Sequence, residues 1–478
     1  AEFGGLEIVF RGANSEDRQW CALGSVKSQI GHTKAAAGAA GLFKAVMALH
    51  HKVLPPTIKV ERPNPKLKLE ESPFYLNTKT RPWVRGSDHP RRASVSSFGF
   101  GGSNFHLTLE EYKGEAPKAW KKRVMASELV LLGAKNGGDL VAALRAIEIG
   151  GENFLAWFAR KTQVEFQANS ATRIAITAAN DEELRVRIQK AAEMIEKDPN
   201  ASFSSPLGIH YNTGKESGKV AFLFPGQGSQ YLNMGADVAM TWPQSMAAWD
   251  MAADVDMGED LRLHDVVFPK TFFAQEDEAS QNKRLISTQW AQPAIGTASL
   301  ALFQQLRDLG VKADCVGGHS FGEVTALHAA GVLDAESMLK VARKRGELMN
   351  EAASSPGSMT AASANIDTLK ELVKTSGLDV VVANHNGPEQ VVMSGATDAI
   401  EAFEAALKEK GISARRLPVA TAFHSKIVSP SSKPFGKFLD SIDFSKATIP
   451  VYANSEAAPY PKAASKMRSI LAQQIANP

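Results

Sequence analysis

The sequence predicts an α/β protein, and three observations support this fold class. From Lys219 onwards, apolar strand-like runs alternate with helix-forming runs, a pattern typical of a parallel sheet. Within that zone, residues 358–418 follow the order βαββαβ, which is that of a ferredoxin-like subdomain. Residues 124–217 contain a shorter mixture of strand and helix patterns. We therefore expect a parallel-sheet core with an inserted ferredoxin-like subdomain, preceded by a small α/β domain.

The composition is that of a globular protein and excludes several classes of function. With 478 residues, the chain is long enough for about three domains. Its formal net charge of +3 argues against nucleic acid or an anionic membrane as the main partner. Cys21 and Cys315 are its only cysteines, so we expect a reducing, cytoplasmic setting and neither a disulfide framework nor a zinc site. Its apolar runs are shorter than the roughly 18 residues that indicate a transmembrane helix.

Three zones divide the chain. Residues 1–112 are rich in motifs of small residues, and the basic stretch KGEAPKAWKKR that follows is typical of a connector. Residues 113–217 contain the strand-like runs ELVLLGA and RIAITAA and the amphipathic run DEELRVRIQKAAEMIEKD, without a catalytic constellation. Residues 218–478 carry the alternating pattern. Because the chain lacks an initiating Met and ends without a polar tail, we expect it to be a piece of a longer protein, truncated at its C-terminus.

A serine between glycines marks the candidate catalytic centre. The motif GHSFG, residues 318–322, follows the strand-like VKADCVG and precedes the helix-forming EVTALHAAGVL. A G-x-S-x-G motif between a strand and a helix predicts a nucleophile elbow, in which a strained turn exposes the hydroxyl of Ser320. The helix N-terminus would supply backbone N–H groups where an oxyanion develops. The motif alone also fits a glycine-rich turn with an incidental serine.

A catalytic serine needs a base, and sequence position alone does not identify one. Among the 11 histidines, His424 in VATAFHSKIVSP follows the ferredoxin-like insert, where the chain should return to the core. A single histidine after an apolar run is more often a packed or surface residue than a base. Position alone therefore favours a packed or surface role for His424 over that of a catalytic base.

Residues 219–478 resemble the acyltransferase domain of fatty acid and polyketide synthases and are similar to malonyl-CoA:acyl carrier protein transacylases. Six motifs in the family's order carry the resemblance: PGQGSQ (225–230), QPAI (292–295), GHSFGE (318–323), RGELM (345–349), NGPEQVVMSG (386–395) and AFHS (422–425). The resemblance implies acyl transfer through a serine ester on an α/β core.

The resemblance implies roles for the catalytic residues. Ser320 matches the nucleophile, and His424 matches the base that takes its proton and later protonates the leaving thiol. The family has no third carboxylate, and a backbone carbonyl near a C-terminal glutamine, here Gln474, orients the imidazole. The backbone N–H groups of Gln227 and Phe321 match the oxyanion hole.

The resemblance also implies how the substrate is selected. Arg345 matches the arginine that pairs with the free carboxylate of malonate, which its planar fork suits; taken alone, the run RKR would indicate a solvated cation. Phe423 matches a position where a bulky side chain accompanies malonyl and a smaller one accompanies methylmalonyl. Three further residues match polar positions of the substrate pocket: Gln292, Asn386 and His319.

Two segments near the start resemble the C-terminal part of a β-ketoacyl synthase, which has a thiolase-like fold. In GSVKSQIGHTKAAAG, His32 matches the second catalytic histidine and Lys27 the nearby family lysine. In SSFGFGGSNFHL, Phe100 matches the gatekeeper beside the nucleophile. The family's nucleophilic cysteine and first histidine lie upstream and are not in this chain, and Cys21 lies in a different motif as a strand residue. We expect residues 1–112 to be a fragment without condensing activity.

The order ketosynthase, α/β linker, acyltransferase is that of type I megasynthases. The motifs GGSNFHLTLEEY and GHSFGEVTAL are most similar to those of the first subunit of bacterial polyunsaturated fatty acid synthases, and iterative polyketide synthases share much of this pattern. The resemblance implies malonyl transfer from coenzyme A to the phosphopantetheine thiol of an acyl carrier protein, with no bound cofactor or metal. The implied partners are carrier-protein domains and the rest of a megasynthase, whose parent protein forms a homodimer.

Two alternatives stay open. The first is a serine hydrolase or thioesterase that shares G-x-S-x-G. Such an enzyme would carry an acid between its serine and its histidine; the sequence signals none, and Arg345 would have no purpose. The second alternative is an inactive fragment that only scaffolds or docks a carrier protein.

Overall fold

In this computed structural model, the chain divides into two compact units. The larger unit combines Ala1–Pro117 with Lys219–Pro478, and the smaller one is Lys118–Gly218. The structure describes residues 2–14, 16–99, 101–114, 126–214, 218–273, 275–352, 357–417, 422 and 428–476. The domain limits 1–112, 113–217 and 218–478 stay predictions, because this division groups the first and last zones together.

The N-terminal part of the larger unit consists of short elements. Its helices and strands are α1 (Glu2–Ala13), β1 (Cys21–Leu23), α2 (Lys27–Ile30), α3 (Ala37–His51), β2 (Val53–Leu54), β3 (Phe74–Leu76), β4 (Arg81–Pro82), β5 (Arg92–Phe98) and β6 (Asn104–Glu110). The strands form three separate pairs: parallel β1 and β3, antiparallel β2 and β4, and the antiparallel hairpin of β5 and β6. Large apolar side chains of α1, α3 and β6 are exposed, among them Ile8, Phe43 and Phe105. This part therefore buries little of its own apolar surface.

The smaller unit is one antiparallel sheet covered by helices. Its elements are β7 (Glu128–Ala134), α4 (Gly137–Arg145), α5 (Phe154–Glu165), β8 (Thr172–Ala178), α6 (Asp181–Lys197), β9 (Phe203–Ser205) and β10 (Ile209–Asn212), with the sheet order β7-β8-β10-β9. Alternate residues of β8, such as Ile174 and Ile176, are buried in the same core as Leu184 of α6. The Asn180 side chain accepts a hydrogen bond from the Glu183 N–H at 2.9 Å and so caps α6. The two predicted strands and the predicted helix are confirmed.

The C-terminal part of the larger unit is an α/β core. Its elements outside the insert are β11 (Ala221–Phe224), α7 (Ala236–Thr241), α8 (Pro243–Ala252), α9 (Leu263–Val267), α10 (Gln275–Ile286), α11 (Thr288–Asp308), β12 (Cys315–Gly318), α12 (Gly322–Ala329) and α13 (Ala335–Ala352), and, after the insert, α16 (Ser432–Leu439), β17 (Val451–Ala453), β18 (Ala458–Pro459) and α17 (Ala464–Gln473). The sheet order is β11-β12-β17-β18; the first three strands are parallel, and β18 is antiparallel to β17. The predicted parallel core is confirmed, with an antiparallel strand at one edge.

The insert has the predicted βαββαβ order. Its elements are β13 (Gly357–Ala362), α14 (Ile366–Ser376), β14 (Val380–Gly387), β15 (Gln390–Ala396), α15 (Thr397–Glu409) and β16 (Ala414–Arg416). All neighbours in the sheet β14-β15-β13-β16 are antiparallel, as in a ferredoxin-like fold. Its helices bury Leu369 and Phe403 in a separate apolar core, which explains why the periodicity of this segment could be read from the sequence.

Candidate active site

Ser320 lies in the sharp turn between β12 and α12. Its φ is +50°, a left-handed conformation that residues other than glycine rarely adopt. The two flanking glycines are sterically required. A Cβ on Gly318 would lie 1.9 Å from the carbonyl carbon of Gly322, and a Cβ on Gly322 would lie 2.1 Å from the carbonyl oxygen of Phe224. This geometry is consistent with the predicted nucleophile elbow, in which only glycine fits on either side of the turn.

The turn is connected to its surroundings by side chains that sequence reasoning missed. Asn454 Oδ1 accepts a hydrogen bond from the Ser320 N–H at 2.7 Å, and Asn454 Nδ2 donates to the Gly318 carbonyl oxygen at 2.7 Å. Glu323, fully buried on the first turn of α12, accepts the Asn454 N–H at 3.2 Å and the hydroxyl of Tyr460. Burial raises the pKa of the Glu323 carboxyl from 4.5 to about 7. The position of Asn454 directly after an apolar strand was the only sequence signal for it.

Two backbone N–H groups lie after neighbouring strands, where an oxyanion hole was predicted. Phe321 occupies the N-cap position of α12 and its ring is fully buried, and Gln227 lies in the turn after β11. β11 and β12 are parallel and pair Phe224 with Gly318, so these two turns follow the same edge of the sheet. Within the described ranges, neither N–H donates a hydrogen bond. As far as the described residues show, both N–H groups are available as donors, as the predicted oxyanion hole requires.

Arg345 of α13 is a buried cation with neutral partners. It is 1% exposed, its Nη1 donates to Gln292 Oε1 at 3.0 Å, and its Nη2 donates to Gln474 Oε1 at 2.8 Å. Among the residues that the structure describes, the guanidinium pairs with these two amide oxygens and with no carboxylate, and its Nε has no hydrogen-bond partner. Burial lowers the pKa of Arg345 to about 10, so it is still charged at neutral pH.

The remaining predicted residues divide into three groups. His319 Nε2 lies 2.9 Å from Asn386 Oδ1, which brings the insert to the turn beside Ser320, while Gln292 is fully buried next to Arg345. The side chain of Gln474, predicted to lie near the base, binds Arg345. His424 and Phe423 lie outside the described residues, so their predicted roles stay predictions. Only Ala422 of the AFHS motif is described, and it is buried.

The predicted ketosynthase residues lie at the surface or outside the described ranges. Lys27 and His32 are exposed, and His32 Nδ1 accepts a hydrogen bond from the Lys34 N–H at 3.1 Å. Phe100 lies outside the described residues. Cys21 is half-buried in β1, and burial raises the pKa of its thiol to about 11. A thiol of this kind is a poor nucleophile at neutral pH.

The described residues lack two features that would indicate a different kind of protein. Their helices are too short or too polar to span a bilayer. The same residues contain no group of three or more His, Cys, Asp or Glu side chains placed to hold a metal ion.

A serine at positive φ in a strand-to-helix turn is typical of α/β enzymes that use a serine nucleophile. Comparison with known families agrees: the chain belongs to the family described as "Acyl transferase domain", which matches residues 221–475. "Beta-ketoacyl synthase, C-terminal domain" matches residues 1–61, and "Ketoacyl-synthetase C-terminal extension" matches residues 63–148. The chain therefore carries an acyltransferase domain behind the C-terminal part of a ketosynthase.

Similar proteins are large synthases. The chain is 33% identical over 98% of its length to a polyunsaturated fatty acid synthase polypeptide of Thraustochytrium sp., of which it spans 18%. It is 33% identical over 95% of its length to a phenolphthiocerol/phthiocerol polyketide synthase polypeptide of Mycobacterium tuberculosis, of which it spans 30%. A solved acyltransferase domain of an iterative polyketide synthase in enediyne biosynthesis has the same fold, with a TM-score of 0.56 and 24% identity over 74% of this chain and 81% of that one.

Proposed function

We propose that the chain transfers a malonyl group from coenzyme A to the phosphopantetheine thiol of an acyl carrier protein, through an ester on Ser320. The observation that carries this proposal is the environment of Arg345. A fully buried guanidinium is costly unless it is paired, and here its described partners are two neutral amide oxygens. The free carboxylate of a malonyl group would supply the missing charge and could use the Nε–H as a donor.

The chemistry needs only groups of this chain and its substrates. Ser320 Oγ attacks the thioester carbonyl of malonyl-CoA while His424, assigned by the family resemblance, takes the hydroxyl proton. The N–H groups of Gln227 and Phe321 would stabilise the oxyanion. The C–S bond then breaks, and the coenzyme A thiolate takes the proton from His424.

The second half of the reaction reverses these roles. The phosphopantetheine thiol gives its proton to His424, its sulfur attacks the Ser320 ester, and the C–O bond breaks as Ser320 Oγ regains a proton. Coenzyme A thioester and phosphopantetheine are substrates in this scheme, so no bound cofactor takes part. Phe423, assigned by resemblance, would disfavour methylmalonyl by filling the space of the extra methyl group.

The setting of this reaction is also a proposal. We infer a type I megasynthase of the polyunsaturated fatty acid class, because the synthase relatives match nearly the whole of this chain. From the family resemblance we further infer that the whole protein is a homodimer, and the low cysteine count favours a reducing, cytoplasmic setting. The N-terminal part would not condense acyl groups. It contains Lys27 and His32 but no candidate for the nucleophilic thiol, since the pKa of Cys21 is raised to about 11 by burial.

Intact-protein mass spectrometry after brief incubation with malonyl-CoA tests this function. We expect a malonyl adduct on the wild-type protein and none on Ser320→Ala. Rapid formation of free malonate in place of transfer to a carrier protein would instead support a hydrolase. A folded protein that forms no adduct would contradict the proposal and favour a scaffold.

A further inference from the structure

The turn that holds Ser320 is fixed by the side chain of Asn454. The ladder between the parallel strands β12 and β17 pairs Val316 with Val451 and Gly317 with Tyr452, and then it ends. Beyond that point the Asn454 carboxamide replaces a peptide group: it donates to the Gly318 carbonyl oxygen and accepts from the Ser320 N–H, each at 2.7 Å. A side-chain amide can do this because it carries one acceptor and a donor in one plane.

These two hydrogen bonds act on the strained part of the turn. They fix the peptide groups on either side of His319, immediately before the positive φ of Ser320. A non-glycine residue in this region costs about 1–3 kcal/mol and persists only where its surroundings hold it. The rotation of the Ser320 backbone sets where Oγ points and where the N–H of Phe321 lies.

Asn454 is itself held by further hydrogen bonds that involve Glu323 and Tyr460. Its backbone N–H donates to Glu323 Oε2 at 3.2 Å, and the other Glu323 oxygen accepts the Tyr460 hydroxyl. The Tyr460 N–H donates a hydrogen bond to the Val451 carbonyl oxygen of β17 at 2.7 Å. Hydrogen bonds thus join three elements around the turn: strand β17, the first turn of α12 and the segment after β18.

We propose that Asn454 is a positioning residue, which holds Ser320 Oγ and the Phe321 N–H in the geometry that acylation needs. The inference rests on the proposed function only in taking Ser320 as the nucleophile. Aspartate has the same shape as asparagine but cannot donate to the Gly318 carbonyl oxygen. It would also place a negative charge beside the turn in which an oxyanion is expected to develop.

The test uses a fluorophosphonate, a probe with neither a malonyl carboxylate nor coenzyme A. Ser320 Oγ attacks phosphorus, the P–F bond breaks, fluoride leaves, and the base takes the hydroxyl proton. We expect Asn454→Asp to slow this modification, followed by intact mass, about 100-fold, the scale of misplacing a reacting group by roughly 1 Å. Tyr460→Phe removes only the hydrogen bond from the Tyr460 hydroxyl to Glu323 and should slow the modification several-fold. Ser320→Ala should not react.

Asn180→Ala is the matched control, because it removes an asparagine side chain that caps α6 and lies outside the site. It should lower the melting temperature and leave the rate of Ser320 modification unchanged. Modification of folded Asn454→Asp and Tyr460→Phe at the wild-type rate would overturn the inference, as would wild-type protein whose Ser320 resists the probe. Wild-type protein that reacts with the probe but not with malonyl-CoA would contradict the proposed substrate alone, while the ratio of variant to wild-type rates would still decide the role of Asn454.

Discussion

Two arginines of the larger unit are both 1% exposed, yet they have opposite surroundings. Arg91, just before β5, donates to both oxygens of Asp250 at 2.6 and 2.7 Å and to both oxygens of Glu111 at 3.2 and 3.0 Å. Its charge is compensated within the fold. It joins the N-terminal part of the unit to α8 and has no capacity left for a ligand.

Arg345 lacks such compensation in the described part of the chain. Its partners are the amide oxygens of Gln292 and Gln474, and the carboxyl that acts on it electrostatically is the buried Glu323. Because the pKa of Glu323 is raised to about 7, that carboxyl is only partly ionised at neutral pH. This difference between the two arginines supports the proposal that Arg345 binds a carboxylate of the substrate, whereas Arg91 stabilises the fold.

The comparison of the two arginines predicts that loss of Arg91 has the largest effect on stability. Arg91→Ala removes the guanidinium that pairs with Asp250, while Glu111 keeps Arg85 and Lys52 as partners. The loss of the buried pair should cost about 3–5 kcal/mol of unfolding free energy in urea titrations. Arg92→Ala is the matched control, since Arg92 is its exposed neighbour and pairs with exposed Glu110; we expect a loss below about 1 kcal/mol. Equal losses of unfolding free energy in the two variants would contradict the claim that Arg91 stabilises the fold through its buried ion pairs.

The next effect concerns the shape of the guanidinium. Arg345→Lys keeps a positive charge but loses the planar fork. We therefore expect the ratio of the acylation rate with malonyl-CoA to the acylation rate with acetyl-CoA to fall about 100-fold. Arg343→Lys on the same helix is the control, because Arg343 is paired with Glu259 and Glu347. That variant should keep the wild-type ratio of the two rates, and a similar fall in it would argue against a special role for Arg345.

The smallest effect is a pH dependence of stability. The pKa of Glu323 is higher in the folded state than its ordinary value of 4.5, so the folded protein binds more protons between pH 4.5 and about 7. Its contribution to stability is present below that range and is lost as the pH rises through it. Relative to wild type, Glu323→Gln should gain on the order of 2–3 kcal/mol between pH 5 and pH 8 in urea titrations. A difference that stays constant with pH would contradict the raised pKa.

Local sequence patterns predicted much of the fold. The ferredoxin-like insert was predictable because each of its helices and strands repeats its own periodicity, and the strand, turn and helix around Ser320 lie within a few residues of one another. Helix α4 was missed because it begins with Gly137 and Gly138, which are poor helix formers; the Asn136 side chain caps it. The antiparallel strand β18 is two residues long and leaves almost no pattern.

The candidate site was less predictable, because its contacts join distant parts of the chain. Arg345 is 53 residues from Gln292 and 129 residues from Gln474, so the local run RKR could not reveal that it is buried. Asn454 is 134 residues from Ser320 and belongs to no motif that the sequence offered. The family resemblance implied roles for the residues, which stay predictions, but it did not indicate the hydrogen bonds that hold the turn.

The most direct test of the central claim is a competition between two acyl donors. Wild-type protein and Arg345→Ala are each given equal concentrations of malonyl-CoA and acetyl-CoA, and the adducts on Ser320 are compared by intact mass. We expect wild type to carry mainly malonyl, and we expect the variant to lose this preference by about 1,000-fold or more, because a site that binds a charged group discriminates strongly against an analogue lacking it. An unchanged malonyl preference in folded Arg345→Ala would contradict the assignment of Arg345 as the carboxylate receptor.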